Sequence, residues 1–135
     1  MDVKRGDIVL ADLSGAAFSE QGKERPVLIV QNDIGNRYSP TTIVVPLTTT
    51  TKKRNQITHA VIEKENTQGL KTDSMALCEQ VRTIDKRRIK SRLGRISNPN
   101  TMKEVFHADF EDFFQKQPEE WYAFFPSFTA AGAFP

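Results

Sequence analysis

The chain holds one cysteine, two histidines and one tryptophan among 135 residues. Cys78 alone closes no intrachain disulfide, and with neither a second thiol nor clustered histidines it completes no zinc site. It reads instead as a small buried hydrophobe. No window approaches the roughly 18 apolar residues that span a bilayer. Met1-Asp2-Val3-Lys4-Arg5-Gly6-Asp7 leads into no signal-peptide core, so the expected compartment is the cytoplasm, with no membrane contact. Nothing resembles a carboxylate cage for magnesium or a glycine loop that cradles phosphate, and the reading assigns no metal and no cofactor.

What is there fits one globular domain of 15.3 kDa with a 38% hydrophobic fraction. The net charge of +2 conceals an asymmetry. Arg82, Lys86, Arg87, Arg88, Lys90, Arg92 and Arg95 stand against Asp85 alone, whereas Glu104, Asp109, Glu111, Asp112, Glu119 and Glu120 stand against Lys116. Clustered cations release counterions on a polyanion, so one side could face nucleic acid; an ordinary charged surface is the plainer alternative.

Short β-branched and alternating stretches dominate the pattern. Strands are expected over Ile8–Leu13, Val27–Gln31, Thr41–Thr50, Thr58–Glu63 and Ser74–Val81, with Arg92–Ile96 as a last one. Gly15, Gly22, Gly35 with Ser39-Pro40, and Gly69 supply loop chemistry between them. Thr83–Arg88 reads as a brief helical turn. Closely spaced short strands favour a small, partly open barrel. Asn98-Pro99 then reads as an N-cap with proline at the first helical position. Met102, Phe106, Phe110, Phe113 and Phe114 follow as one stripe for packing on the sheet.

The most telling segment is Arg25-Pro26-Val27-Leu28-Ile29-Val30-Gln31-Asn32-Asp33. Val27–Val30 runs without a polar break, as a strand covered on both faces does. Pro26 fixes its own φ and biases Arg25 towards extended backbone, which sets a permanent cation at the mouth of the strand. Such a fork suits a phosphate, although an arginine salt-bridged at a strand start would look the same. Together with Gly6-Asp7, Ser19-Glu20-Gln21-Gly22, Gln31-Asn32-Asp33-Ile34-Gly35-Asn36 and Glu79-Gln80-Val81-Arg82-Thr83-Ile84-Asp85, this segment resembles the MazF/PemK family of toxin endoribonucleases, or mRNA interferases. The likeness covers about Val3 to Phe113.

The resemblance implies an α+β, mainly β fold: the small SH3-like, partly open barrel of CcdB/MazF-type toxins with a C-terminal helix. It implies a toxin of a toxin–antitoxin system that cuts single-stranded RNA at short sequences without metal, leaving 2′,3′-cyclic phosphate and 5′-hydroxyl ends. It also implies a homodimer with an RNA groove across the interface, and a MazE/PemI-like antitoxin whose acidic, disordered segment folds into that groove. The same barrel occurs in non-catalytic toxins that poison gyrase through protein contacts, so fold alone leaves that alternative open.

Attack by a 2′-hydroxyl needs positive charge at the phosphate oxygens, a proton acceptor and help for the departing 5′-oxygen. The family assigns the arginine and threonine matching Arg25 and Thr48 to the active site, Thr48 donating to phosphate. A guanidinium with a pKa above about 12 is a poor proton acceptor, so Glu20 and Glu79 are the chemically better candidates. One branch of the family uses an Asp matching Glu79, an Arg matching Leu77 and a His matching Ser19. Leu77 and Ser19 lack those groups, which favours the Arg25/Thr48 version. His59 and His107 lie on a strand and a helix, a context that argues against an imidazole couple.

RNA reading falls to the loops. Phe18 could stack a base or fold back on the core, while Ser19, Glu20 and Gln21 could read base edges. Lys52, Lys53, Arg54, Gln80 and Arg82 complete the expected RNA-binding set. The domain is expected over residues 1–115, with 116–135 as an aromatic-rich tail that follows neither a helical nor a strand period. Asp109 departs from the family, where that position tends to be apolar.

Overall fold

The computed structural model describes residues 2–15, 23–49 and 58–106. Its elements run β1 (Asp7–Asp12), β2 (Glu24–Ile29), α1 (Asp33–Tyr38), β3 (Thr41–Thr48), β4 (His59–Ile62), β5 (Thr67–Gln68), β6 (Ser74–Leu77), β7 (Arg82–Asp85), β8 (Ile89–Ile96) and α2 (Pro99–Phe106). Single 3-10 turns occupy Lys64–Asn66, Cys78–Gln80 and Lys86–Arg88. Every ladder is antiparallel.

β1 pairs with β2 on one side and β8 on the other, β2 continues to β3, and β7 lies against the first half of β3. Because β7 passes into β8 through the Lys86–Arg88 turn, these five strands curl into a barrel. Among the described residues no ladder joins β7 to β8, so the barrel stays partly open, as expected. β6 pairs with the second half of β3 and carries β4, a small sheet laid on the barrel wall. Among the described residues no helix is long and apolar enough to cross a membrane.

Alternation along the strands separates two layers of core. Val9, Ala11, Val27, Ile29, Val44 and Ile84 fill one cluster, within the barrel. Leu28, Val30, Val45 and Leu47 turn the other way, against Ala60, Ile62, Ala76, Cys78 and Val105 of α2. The unbroken apolar run of β2 thus serves both layers, and Cys78 is fully buried as one more hydrophobe. Each fully buried Val, Leu or Ile contributes about 1.5–3 kcal/mol.

Several local assignments shift. Residues Asp33–Tyr38, expected as loop, form α1: Asn32 Oδ1 accepts from the Gly35 N–H at 2.8 Å and caps the helix. Behind it, Gln31 Nε2 donates to Asn36 Oδ1 at 3.0 Å, Asn36 Nδ2 to the Gln31 carbonyl at 2.9 Å, and Thr42 Oγ1 to Asn36 Oδ1 at 2.7 Å. This buried network makes the Gln31–Asn36 motif a structural lock between α1 and β3. The strand expected to Val81 ends at Leu77, and Thr83–Arg88 begins as β7 because its residues complete the open edge of β3. The helical turn follows at Lys86, where Asp85 Oδ1 accepts from the Arg87 N–H at 2.8 Å. β8 starts at Ile89, earlier than Arg92. At α2, Asn98 Oδ1 accepts from the Asn100 N–H at 2.9 Å, the expected cap; Phe110, Phe113 and Phe114 of its stripe lie outside the described residues.

Candidate active site

Arg25 is the second residue of β2, exposed, and opposite Ala11. Thr48 is the last residue of β3, half-buried, and opposite Met75. The β2–β3 ladder runs Ile29↔Val44, Leu28↔Val45, Val27↔Pro46. The ladder ends there. Arg25 and Thr48 each lie two residues beyond its last pair, at the same end and by alternation on the face of Val27 and Pro46, while Thr48 itself pairs with Met75 of β6.

Residues 16–22 connect β1 to β2 in sequence, and Leu13 N–H donates to the Lys23 carbonyl at 2.7 Å on either side of them. Arg88 braces the base of the loop, donating through Nη1 to the carbonyls of Asp12 at 3.1 Å and Ser14 at 3.0 Å. Residues 50–57 begin two positions after Thr48. Phe18, Ser19, Glu20, Gln21, Lys52, Lys53 and Arg54 lie outside the described residues, as does His107.

Glu79 sits elsewhere. It belongs to the 3-10 turn after β6, and since Met75 is the residue opposite Thr48, Glu79 lies four residues further, on the order of 10 Å along the strand direction. Its Oε1 is 2.8 Å from His59 Nε2. Sequence reasoning missed this pair: alternation along β4 sends Ala60 and Ile62 to the core and His59 to the opposite face, and its partner lies 20 residues away. Gln80 closes the same turn, and Arg82 opposes Val44, so alternation along β3 puts Arg82 on the face of Thr48, about 13 Å from it.

The basic run does not gather into one patch. Lys86 Nζ donates to the Asn36 carbonyl, Arg87 pairs with Asp85 at 3.0 Å, Arg88 braces the rim, and Arg92 and Arg95 both pair with Asp7. The Asp85 carboxyl is held down to about 2, chiefly by the Arg87 side chain and then by the Arg87 backbone N–H.

Residues 4–108 match the family model described as PemK-like, MazF-like toxin of type II toxin-antitoxin system. The chain belongs to this family. It is 50% identical over 106 residues to the endoribonuclease MazF of Staphylococcus saprophyticus, covering 78% of this chain and 87% of that one. The MazF-like fold is equally plain in solved structures. The Deinococcus radiodurans MazF superposes with a TM-score of 0.71 at 18% identity, over 84% of this chain and 97% of that one. A mycobacterial endoribonuclease solved with its cognate antitoxin gives 0.67 at 23% identity, over 85% of this chain and 97% of that one. This MazF-like chain is thus an endoribonuclease toxin of a toxin–antitoxin system.

Proposed function

We propose that the chain cleaves single-stranded RNA, mRNA included, at short sequences and without metal, by attack of a ribose 2′-hydroxyl on its own 3′-phosphate. The observation that supports this reading is the β2–β3 register, beyond whose last pair, Val27↔Pro46, Arg25 and Thr48 each lie two residues on at the same end. Arg25 offers its fork to the two non-bridging oxygens, whose charge grows in the transition state, and Thr48 donates a hydrogen bond to the same group. Glu20, between β1 and β2 in sequence, is the proton acceptor in preference to Glu79, whose carboxylate is engaged by His59. The 5′-oxygen leaves as the P–O bond breaks, giving 2′,3′-cyclic phosphate and 5′-hydroxyl ends.

Phe18, Ser19 and Gln21 read bases, with Lys52, Lys53, Arg54, Gln80 and Arg82 along the strand's path. The protein works in the cytoplasm as a homodimer held in check by a MazE/PemI-like antitoxin. Support for the antitoxin comes from the mycobacterial relative solved with its own. Support for a second copy comes from Ile34 and Tyr38, exposed one turn apart on α1. Residues 1–115 form the toxin domain, and 116–135 a separate tail.

The test is incubation with a long, defined RNA in EDTA, followed by mapping of both new ends. Cyclic phosphate and 5′-hydroxyl ends, lost on Arg25→Ala, are the expected result. Dependence on added metal, or 5′-phosphate ends, would sink the mechanism. Toxicity that survives Arg25→Ala would instead favour a protein-binding toxin.

A further inference from the structure

At the end of the barrel away from Arg25, the opening residues of the chain, the start of β1 and the end of β8 enclose a groove of about 820 Å³. Asp2, Lys4, Asp7, Gln68, Arg92 and Arg95 supply its polar lining. Asp7 lies four residues before Ala11, the residue opposite Arg25, so this groove is about 13 Å down β1 from the catalytic rim.

Its centre is a buried carboxylate shared by two cations. Asp7 has a side chain 4% exposed; Oδ1 accepts from Arg95 Nη1 at 2.6 Å, and Oδ2 lies 3.2 Å from Arg92 Nη2 and accepts the Lys4 N–H at 2.9 Å. Arg92 Nη2 also donates to the Asp2 carbonyl at 2.6 Å. A single arginine would neutralise Asp7 and staple β1 to β8. The second leaves a surplus. Lys4, Arg92 and Arg95 against Asp2 and Asp7 make the lining net positive by one charge, with Asp2 as its opposing carboxylate. Arg92 and Arg95 remain 52% and 44% exposed, and each guanidinium has five N–H donors, of which the contacts above use few.

One wall of the groove is a close crossing of two backbones. A Cβ on Gly94 would stand 2.2 Å from the Gln68 carbonyl oxygen, and one on Gly69 2.3 Å from that of Leu93. Gly69, just after β5, and Gly94 of β8 thus cross backbone to backbone, with Gln68 and Leu93 beside them in the lining. Two oriented forks and a nearby lysine around this groove suit a small tetrahedral anion.

The geometry points to a second binding site here, for a phosphate group, independent of the catalytic rim. That group could belong to a free nucleotide or to the backbone of single-stranded nucleic acid. The experiment is a ¹⁵N NMR titration of the full chain, following the Arg92 and Arg95 Nε–H and the Gly69 and Gly94 amides. Inorganic phosphate, uridine 5′-monophosphate, a 2′-O-methyl oligonucleotide that cannot be cut and an oligoglutamate are added in turn at constant ionic strength.

Saturable shifts centred on those four groups with phosphate and the nucleotide are expected. Tighter saturation by the oligonucleotide than by the mononucleotide would identify nucleic acid as the source; equal saturation would identify the free nucleotide. Lys4→Glu should weaken binding about fivefold, the worth of one partly exposed charge. Asp2→Asn should tighten it. Shifts that never saturate, an equal response to oligoglutamate, or unaltered affinity in Lys4→Glu would overturn the site, whatever the outcome of the RNA cleavage assay.

Discussion

His59 Nε2 meets Glu79 Oε1 at 2.8 Å, joining the first residue of β4 to the turn that follows β6. The His59 side chain is 4% exposed and that of Glu79 26%. Among the described residues, His59 Nδ1 and Glu79 Oε2 have no hydrogen-bond partner, so the contact satisfies one polar atom of each side chain and leaves the other unpaired. His59→Leu leaves the carboxylate partly buried without a donor and should cost about 2 kcal/mol in urea unfolding. His59→Gln, which can still donate, should cost less. RNA turnover by Glu79→Gln should exceed that of Glu20→Gln; the reverse order would return Glu79 to the role of base.

Arg25→Ala should lower the cleavage rate by about 10²–10³, as removal of a transition-state donor does. Arg25→Lys should rescue little, because a point charge does not replace a planar fork. Both variants should stay folded, since Arg25 lies at the exposed start of β2. Single-turnover cleavage beside a urea melt separates the two effects.

Asp7→Asn removes the counterion of Arg92 and Arg95 while preserving shape. The change should destabilise by about 2 kcal/mol, with much of the effect at Asp7 itself because both arginines are half-exposed. Chemical denaturation measures it.

Gly94→Ala drives a methyl group against the Gln68 carbonyl, a backbone atom that cannot swing aside. A loss above about 2 kcal/mol is expected, visible as a lowered thermal midpoint.

The Asp85 carboxyl, with its pKa depressed to about 2, stabilises the fold when charged. Its contribution is complete above the unfolded value near 3.8 and is lost as pH falls towards 2. Asp12, held low first by the Ser14 hydroxyl, and Asp33, held low first by the Arg5 N–H, act with the same sign. Wild type should therefore lose stability between about pH 4 and pH 2, and Asp85→Asn should flatten part of that slope in acid-unfolding curves.

The barrel was readable because its strands carry the two-residue period and β-branched residues that pleated, buried surfaces select. Val27–Val30 even announced a strand covered on both faces. Arg25 was legible from Pro26 and the apolar run behind it, and Thr48 through family likeness. What escaped were features decided by partners distant in sequence. α1 is only six residues long and contains Gly35, so its local propensity is poor; it exists because Asn32 caps it and the Gln31–Asn36–Thr42 network holds it down. The basic run looked like one surface because strand register, which sends Arg92 and Arg95 to Asp7, cannot be counted along a single segment.

β3 belongs to two layers at once: Thr41–Val44 closes the barrel against β7, whereas Leu47 and Thr48 depend on β6 of the outer sheet. Peeling away that sheet would let the end of β3 fray and carry the threonine off its perch while the inner cylinder stayed wound. Catalysis in this molecule should accordingly fade on warming before the main cooperative melt, with the outer leaf acting as the site's fuse.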